Sequence, residues 1–215
     1  MEENIAILMA DLSGYTALTE THGAATAADM IDKYLEIVQS CLVGNCKVVE
    51  RTGDEIMIVS SSPDFLLATA GMIITKTSGQ ENFLQVHGGL HYGPVLKRSN
   101  SYFGSTVNLT ARIAAKAGPG TFWCSKGFVE AVDHKSLFKL RWEGAHAFKN
   151  ITGMIEVAEV LIDNIKPFSI DPVCRMLIID KAAAIQHAQN EEIFFCSQHC
   201  MDRFNQGQIH YNSIQ

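Results

Sequence analysis

The chain has 215 residues, of which 47% are apolar and 19% are charged, so it can bury a core and differs from disordered tail proteins. Its formal net charge of −6 at pH 7 excludes a general nucleic-acid-binding protein, which would carry a basic stripe. No uninterrupted apolar stretch approaches the ~20 residues that cross a bilayer. The segment Met1–Asn4 lacks the positive region of a signal peptide, so we expect a cytoplasmic protein without a membrane partner.

The predicted elements alternate between strands and helices. In chain order they are a buried strand over Ile5–Asp11, a helix from about Ala24 to Leu42, a hairpin of strands Lys47–Glu50 and Glu55–Val59, a helix from Pro63 to about Ile74, and a strand over Phe83–Tyr92 that ends at Gly93–Pro94. This βαββαβ order predicts a ferredoxin-like α+β sheet. A third helix is expected after Gly104 to about Ala117, and mixed strands then continue to about Leu161.

The character of the sequence changes near Asn164–Pro167, where a short, aromatic, cysteine-bearing segment begins. We therefore predict two domains, residues 1–163 and residues 168–215. Six cysteines in a chain without an export signal indicate reduced thiols rather than a disulfide framework. Cys41, Cys46 and Cys124 are predicted to be ordinary buried or half-buried thiols, whereas the other three lie in the second domain.

Two carboxylates are placed where they could share a cation. Asp11 ends the first predicted strand, and Asp54 lies at the tip of the predicted hairpin. Strand ends and hairpin tips at one edge of a sheet can bring two carboxylates onto a hard cation such as Mg²⁺. Turn and helix-cap roles, in which Asp is common, are the alternative for both residues.

Two polar segments could contact a nucleotide. Backbone N–H groups of Ser13–Thr16, at the start of the first helix, could hold a phosphate, and the alternative is a simple turn with an N-cap. Asn108 and Arg112 are four residues apart on the third predicted helix, so they share one face. They could hold a ribose and a phosphate, or they could form an ordinary polar helix face.

Four segments, in this order, resemble the motifs of the class III nucleotidyl cyclase catalytic domain, over about residues 5–161. They are a first metal motif in Met9–Thr16, a second metal motif in Gly53–Met57, a strand-turn signature in Gly89–Val95 and a transition-state motif in Gly104–Arg112. Four ordered motifs are a far more specific signal than any one of them. The short link from Val95 to Gly104 is most similar to the compact bacterial subgroups of the family.

The resemblance implies a phosphorus–oxygen lyase that converts a nucleoside triphosphate into a 3′,5′-cyclic nucleotide and pyrophosphate. It implies that Asp11 and Asp54, with the Leu12 carbonyl, hold two Mg²⁺ or Mn²⁺ ions, which acidify the ribose 3′-hydroxyl and steady the leaving pyrophosphate. It also implies that Asn108 positions the ribose and that Arg112 neutralises charge on the α-phosphate.

The resemblance implies further substrate contacts and a partner. The backbone at Gly14, Tyr15 and Thr16 would contact phosphate, and Lys149 resembles the family lysine that contacts the triphosphate, although a solvated lysine is the alternative. In the family, the metal ligands come from one subunit and the Asn and Arg from the other. A homodimer with two interfacial sites is therefore implied, and a monomer would be inactive.

Two positions depart from the adenine-selecting pattern of the family. The base-selecting lysine falls on Glu50 here, and its acidic partner falls on Ser101. A carboxylate only accepts hydrogen bonds, and guanine offers it two N–H donors, as in the guanylate cyclases of the family. GTP is therefore the favoured substrate, with ATP or a pyrimidine nucleotide as alternatives. The alternative is that Glu50 is a solvated strand residue paired with Arg51 or Lys47. In that case the pocket does not select a nucleobase, or the domain does not catalyse the reaction.

The second domain resembles a YHS domain over about residues 168–211, with Arg175 where that family usually has Gly. Cys196 and Cys200 are four residues apart, Cys174 could approach across a turn, and His199 is a predicted fourth ligand. Thiolates suit Zn²⁺, Cu⁺ or another thiophilic metal. The alternative is a small apolar module that buries its cysteines without metal.

The resemblance leaves other classes of function open. The main alternative is a catalytically silent cyclase-like regulator that binds nucleotide or a partner and is coupled to a metal- or redox-sensing module. Loss of the base-selecting pair favours this regulator, whereas both metal acids and both transition-state residues favour turnover. In a third hypothesis the chain is mainly a metal-binding protein, and the larger domain is its scaffold.

Overall fold

A computed structural model of the chain describes residues 2–161 and 168–207. The predicted domain boundary at residues 164–167 lies outside the described residues, as do residues 208–215 of the predicted second domain. The division of the chain at this point therefore stays a prediction.

One mixed sheet of eight strands is the centre of the fold. Its strands are β1 (Glu2–Leu12), β2 (Lys47–Thr52), β3 (Glu55–Ser60), β4 (Val86–Arg98), β5 (Ser101–Phe103), β6 (Phe122–Ser125), β7 (Lys139–Ala147) and β8 (Met154–Leu161). The helices in this region are α1 (Tyr15–Cys41), α2 (Pro63–Ser78), α3 (Ser105–Ala114) and α4 (Lys126–Ala131), with a 3₁₀ turn at Lys135–Leu137. None of the described helices has both the length and the apolarity that a membrane span requires.

The order of strands in space confirms the predicted ferredoxin-like α+β fold. The sheet runs β2-β3-β1-β4-β6-β8-β7, and β5 pairs with one end of β4. β1 pairs antiparallel with both β3 and β4, and β2 pairs antiparallel with β3, which is the arrangement that a βαββαβ unit produces. β6 then runs parallel to β4, and the β7–β8 hairpin completes the far edge.

Both faces of β1 are buried, which explains its nearly continuous apolar sequence. Leu8 belongs to a large core that is shared with α1 and α2 and includes Tyr34. Ile7 and Met9 point to the opposite face, where they pack with Ala114 of α3. The sheet therefore separates α1 and α2 on one face from α3 on the other.

Gly89 in β4 allows α3 to lie directly on the sheet. A Cβ atom at this position would be 2.3 Å from the backbone nitrogen of Ala114 and 2.7 Å from the carbonyl oxygen of Thr110. Any side chain would therefore push the helix outward. Because α3 carries Asn108 and Arg112, this glycine sets where both side chains lie.

The first helix differs from its prediction at its start. α1 begins at Tyr15 rather than near Ala24, and it is broken at Gly23, whose φ of 86° and ψ of 166° are not helical. The segment before Gly23 is exposed for most of its length. It therefore lacks the apolar periodicity on which the prediction of the helix from Ala24 depends.

The prediction that the fourth strand ends at Gly93–Pro94 is wrong, because β4 continues to Arg98. β6 pairs with β4 only from Gly88 to Leu90, so among the described strands Pro94 has a ladder partner only on the β1 side. A proline, which has no N–H group to donate, is tolerated in a strand at such a free side.

Residues 168–207 add two short hairpins and a helix. They are β9 (Ser169–Ile170) with β10 (Leu177–Ile178), β11 (Ile185–His187) with β12 (Asn190–Phe195), and α5 (Gln198–Asn205). Leu177 is part of the large core beside α1 and α2, and Phe168 and Ile170 pack against it. The first hairpin is therefore docked on the main sheet domain.

The three cysteines in residues 2–161 are buried and free, as predicted. The Cys124 thiol donates to the carbonyl oxygen of Ala158 on β8 at 3.4 Å. Burial raises the pKa of Cys124 to about 12, so it behaves as a neutral core residue.

Candidate active site

The end of β1 and the tip of the β2–β3 hairpin meet at one edge of the sheet. Ala10 on β1 pairs with Ile56 on β3, so the hairpin turn lies beside the last residues of β1. Gly53 supplies the turn with a positive φ of 65°. Asp11 and Asp54 both lie half-buried at this edge. The structure therefore brings the two predicted carboxylates together.

The environment of Asp54 and the adjoining Asp11 carboxyl group alter the ionisation of Asp54. Burial raises the pKa of Asp54 to about 6, and the hydrogen bond and charge of the adjoining Asp11 carboxyl add to the effect. Oδ1 of Asp11 is buried and has no hydrogen-bond partner among the described residues. A buried unpaired oxygen beside a second carboxylate is unfavourable, and a divalent cation would remove the penalty. Two carboxylates with the adjacent Leu12 carbonyl therefore fit a hard cation such as Mg²⁺ or Mn²⁺.

The segment between β1 and α1 leaves backbone N–H groups available for an anion. Gly14 precedes the helix with a φ of 89°, and no side chain caps the helix start. The N–H groups of Tyr15 and Thr16 are among those that an α-helix leaves without an internal partner. No acidic residue lies in the first turn to repel a phosphate. The geometry fits the predicted phosphate contact at this helix start.

Sequence reasoning missed His87 at this edge. His87 lies opposite Asp11 in the β1–β4 register, and its Nδ1 atom is 2.9 Å from Oγ of Ser13. Burial lowers the pKa of His87, which favours the neutral imidazole as the partner of the Ser13 hydroxyl. Only the strand register, which the sequence does not state, would have identified this residue.

Tyr34 lies in the helix predicted from about Ala24 to Leu42, and sequence reasoning assigned it no role in the site. Its side chain is fully buried on α1, and its hydroxyl has no hydrogen-bond partner among the described residues. Burial raises the pKa of Tyr34, and the charges of Asp11 and Asp54 raise it further. The hydroxyl group therefore lies within electrostatic reach of the two carboxylates.

Asn108, Arg112 and Lys149 form a second group of predicted site residues. Asn108 and Arg112 are exposed on α3, and they share a face because they are four residues apart. Lys149 is also exposed, and the preceding Phe148 packs in one cluster with Leu109 of α3. The three side chains therefore come from adjoining parts of the fold.

The start of α3 lies along β4 away from the two carboxylates, whereas its end lies over Gly89, two residues from His87. Asp11 faces His87 near the start of β4, whereas Thr106, at the start of α3, donates to the carbonyl oxygen of Pro94 at 2.6 Å. Ser101 pairs with Arg98 at the far end of β4, roughly 35 Å from His87 at about 3.3 Å per residue. The structure does not bring Ser101 to the carboxylates of its own chain.

Glu50 shares a sheet face with Asp11. Glu50 lies opposite Met57 on β3, and Met57 lies opposite Met9 on β1. Directly opposed side chains project from the same face of a sheet, and Asp11 is two residues beyond Met9 on that face. The exposed Glu50 carboxylate is therefore on the side of the sheet that α3 covers.

The predicted alternative for Glu50 was a solvated strand residue in an ion pair with a neighbouring basic residue. Among the described residues no such ion pair joins Glu50 to Lys47 or Arg51. Instead, Nε of Arg51 donates to the carbonyl oxygen of Gly53 at 3.1 Å. The Glu50 carboxylate thus remains available as an acceptor for a ligand.

A second cluster of chemically reactive groups lies in residues 168–207. Sγ of Cys196 is 3.4 Å from Sγ of Cys174 and 3.8 Å from Sγ of Cys200. Ligand atoms of these three cysteines and of Asp171 all lie within 4.8 Å of one another. The prediction of His199 as the fourth group is wrong. Among the described residues, the group of close ligand atoms contains Asp171 and not the exposed His199.

Asp171 ties the two cysteine segments together through backbone contacts. Its buried carboxylate accepts hydrogen bonds from the N–H groups of Val173 at 2.8 Å, Cys174 at 3.2 Å and Cys196 at 2.8 Å. Although burial opposes it, these bonds hold the pKa of Asp171 below its usual value. Burial, followed by the neighbouring Asp171 and thiols, raises the pKa of Cys196. A thiophilic cation would relieve this unfavourable environment for thiolate.

The chain is similar to one known protein family over most of its described length, and to several known proteins over part of it. The family description of the adenylate and guanylate cyclase catalytic domain matches residues 1–157. An uncharacterised protein of Mycobacterium tuberculosis is 38% identical over 112 residues, which are 52% of this chain and 30% of that protein. An adenylate cyclase of Glutamicibacter nicotianae is 30% identical over 117 residues, which are 54% of this chain and 29% of that protein. The chain thus matches less than a third of the length of these relatives.

A solved structure shows the same fold. An adenylate cyclase of Trypanosoma brucei superimposes with a TM-score of 0.68 and 16% identity, over 82% of this chain and 93% of that chain. The YHS resemblance of the C-terminal segment lies outside the family match and stays a prediction.

Proposed function

The chain belongs to the family of adenylate and guanylate cyclase catalytic domains, and from this premise we propose that it is a nucleotidyl cyclase that converts a nucleoside triphosphate into a 3′,5′-cyclic nucleotide and pyrophosphate. The observation that carries the proposal is the contact between the Asp11 and Asp54 carboxyl groups beside the uncapped start of α1. A pair of cation ligands next to a phosphate site is what phosphoryl transfer by two metal ions requires.

The residues near the end of β1 would bind the cations and the phosphate groups. Asp11, Asp54 and the Leu12 carbonyl would hold two Mg²⁺ or Mn²⁺ ions, which supply acidification of the ribose 3′-hydroxyl and charge neutralisation at the pyrophosphate. The N–H groups of Tyr15 and Thr16 would bind phosphate oxygens.

The second group would act on the other side of the substrate. Asn108 would orient the ribose so that its 3′-oxygen lies in line with the α-phosphate. Arg112 would neutralise the charge that develops on the α-phosphate, and Lys149 would bind the triphosphate. Each role requires a side chain that reaches outward from its own chain, and all three residues are exposed.

We place the complete site at the interface of a homodimer. The exposure of Asn108, Arg112 and Lys149 supports this arrangement, because exposed side chains are available to a substrate held by a second chain. Asp54→Ala and Arg112→Ala should each be inactive alone. Coexpressed together, they should recover about a quarter of the wild-type activity, since half of the randomly formed symmetric dimers are mixed and carry one intact site. Absence of recovery in mixed dimers would contradict the shared site.

GTP is the proposed substrate, although the named relative from Glutamicibacter nicotianae is called an adenylate cyclase. The support is Glu50, an exposed acceptor on the same sheet face as Asp11 without an ion-pair partner in the described part of the chain. Guanine N1–H and N2–H can both donate to a carboxylate, whereas adenine would direct the N1 lone pair at it. A site of this kind can discriminate by roughly 10⁴.

A product assay tests both parts of the proposal. The purified full chain is incubated with Mn²⁺ or Mg²⁺ and each of the four nucleoside triphosphates in parallel. We expect cyclic GMP from GTP, its loss in Asp54→Ala, and its retention in Asp29→Ala, which removes an exposed acid from α1. Product only from ATP or a pyrimidine nucleotide would refute the role of Glu50. No product from any nucleotide, with an intact dimer, would favour the catalytically silent regulator.

We also propose that Cys174, Cys196 and Cys200 bind a thiophilic cation such as Zn²⁺ or Cu⁺. The support is the approach of their sulfur atoms to 3.4 and 3.8 Å, because three thiolates around one soft cation require similar spacing. Elemental analysis of the reduced protein should find about one equivalent per chain, and Cys196→Ser should lose it. Equal metal content in both proteins would refute the site.

A further inference from the structure

The turn that carries Cys174 is hydrogen-bonded to the main sheet domain through Arg175. Nε of Arg175 donates to the carbonyl oxygen of Leu42 at 3.2 Å, and its Nη2 donates to the carbonyl oxygen of Ser40 at 2.9 Å. In return, the N–H group of Gly44 donates to the carbonyl oxygen of Arg175 at 2.7 Å. Arg175 is therefore bonded both by its side chain and by its backbone to the segment that ends α1.

The C-terminal end of α1 has features that make such a contact favourable. The last carbonyl groups of a helix have no internal partners and carry the negative end of the helix dipole. α1 has no basic residue in its last turn, and its C-cap, Leu42, is in an extended conformation. The guanidinium of Arg175 therefore supplies the cation and the donors that the local sequence lacks.

Arg175 makes this contact in a conformation that arginine does not favour. Its φ of 63° lies in the left-handed region, where a residue with a side chain is strained. The turn is closed by two further bonds, from the N–H of Arg175 to the carbonyl oxygen of Asp171 at 2.9 Å and from the N–H of Asp171 to the carbonyl oxygen of Met176 at 2.9 Å. The contacts with α1 thus help to hold the turn in this shape.

The same turn forms one wall of the cysteine cluster. Cys174 precedes Arg175 directly, and its N–H group is bonded to the Asp171 carboxylate, which also binds the N–H of Cys196. Binding a cation to the three sulfur atoms requires the turn to keep the position of Cys174. Docking of Arg175 on α1 requires the same turn to keep the same shape.

We propose that Arg175 couples the cysteine cluster to α1, so that a thiophilic cation in the cluster also fixes the C-terminal end of that helix. This inference rests on the proposed cation site and assigns it a regulatory connection. The coupling is reciprocal, because if the bound cation stabilises docking, docking must increase cation affinity by the same factor. Tyr34, which is two turns before Cys41 on α1, lies within electrostatic reach of the proposed cation ligands Asp11 and Asp54.

The coupling can be measured on the full, reduced chain with Zn²⁺ as the probe. Zinc affinity is determined by competition with a chromophoric chelator in excess Mg²⁺, which occupies hard-cation sites. Hydrogen–deuterium exchange of peptides that contain Gly44 reports docking, because its N–H group bonds to Arg175. The test variant is Arg175→Gly, which removes the guanidinium but accepts the left-handed backbone. Arg203→Ala on α5 is the matched control, and Cys196→Ser is the zinc-free reference.

In the wild type and in Arg203→Ala, we expect one zinc ion to slow exchange at Gly44 severalfold relative to Cys196→Ser. In Arg175→Gly, we expect the same stoichiometry, about tenfold weaker zinc binding, and no effect of zinc on exchange at Gly44. Equal zinc affinity in Arg175→Gly and the wild type would overturn the coupling. So would an exchange rate at Gly44 of the wild type that does not change when zinc binds. If the wild type binds no zinc, the stoichiometry shows that the cation site itself has failed. Failure of the cyclase proposal would appear only in the product assay.

Discussion

Asp54→Asn is expected to stabilise the metal-free protein at neutral pH while it abolishes the proposed activity. Burial and the Asp11 carboxyl raise the pKa of Asp54 from 3.8 to about 6, so the native state disfavours its charged form. Since one pKa unit corresponds to about 1.4 kcal/mol, the upper value of this penalty is about 3 kcal/mol. Because the carboxyl group is partly exposed, solvent screening reduces the expected gain in the free energy of unfolding to about 1 kcal/mol.

The pH dependence of this gain has a definite sign. A pKa that is higher in the folded state than in the unfolded state makes ionisation unfavourable to folding, so the penalty is complete only above about pH 6. It declines as the pH falls and disappears below about pH 4, where Asp54 is protonated in both states. The advantage of Asp54→Asn should therefore be largest near neutral pH and smaller near pH 5.

Urea denaturation in EDTA measures the effect, and thermal melting should show an increase of about 2–4 °C. Asp32→Asn removes the same charge from an exposed position on α1 and should change stability by less than about 0.5 kcal/mol. With Mn²⁺ present, the order should reverse, because only the wild type keeps both cation ligands. If Asp54→Asn is no more stable than the wild type in EDTA at neutral pH, the reasoning from two contacting carboxyl groups is refuted.

Three further changes have defined outcomes. Gly89→Ala should lower the free energy of unfolding, measured with urea, by more than about 2 kcal/mol, because the added Cβ would lie 2.3 Å from the backbone of α3. The control is Gly127→Ala, whose Cβ would meet nothing within 4 Å and which should not destabilise the protein. In the reduced, metal-free protein, iodoacetamide should modify the exposed Cys174 before the buried Cys124, and equal rates by peptide mass spectrometry would contradict the described burial. Lys149→Ala should raise KM for the nucleotide more than it lowers kcat, and an unchanged KM in steady-state kinetics would exclude the proposed phosphate contact.

Local sequence patterns predicted the elements that carry the acids, but not the contacts between those elements. The apolar run before Asp11 and the turn residues around Asp54 indicate a strand and a hairpin, because periodicity and turn chemistry act over a few residues. The contact between the two carboxyl groups depends on the β1–β3 register, and the β1–β4 register places His87 opposite Asp11. Pro94 was misread as a strand end because a local rule contains no information on which side of a strand is unpaired.

The cysteine cluster shows a second limit of sequence reasoning. Cysteine spacing identified the three thiols, and histidine is a common ligand beside thiols, but nothing in the spacing pointed to Asp171. The Asp171 carboxylate is placed instead by the hydrogen bonds that it accepts from backbone N–H groups of both cysteine segments. Every residue except proline has such a group, so the sequence does not reveal which ones bind Asp171. Arg175 is similar, since its donors reach carbonyl groups of residues more than 130 positions earlier in the chain.

Both ends of α1 are completed by groups that do not belong to the helix. Its N-terminal N–H groups lack a side-chain cap and face the proposed phosphate site, while its C-terminal carbonyl groups are bonded by Arg175. The break at Gly23 interrupts the helix between these ends, so displacement of the C-terminal end is not transmitted rigidly to Gly14. Tyr34 lies on the C-terminal side of the break. A cation at the cysteine cluster should therefore act through the surroundings of Asp11 and Asp54, where the cations for catalysis would bind, rather than through the phosphate-binding turn.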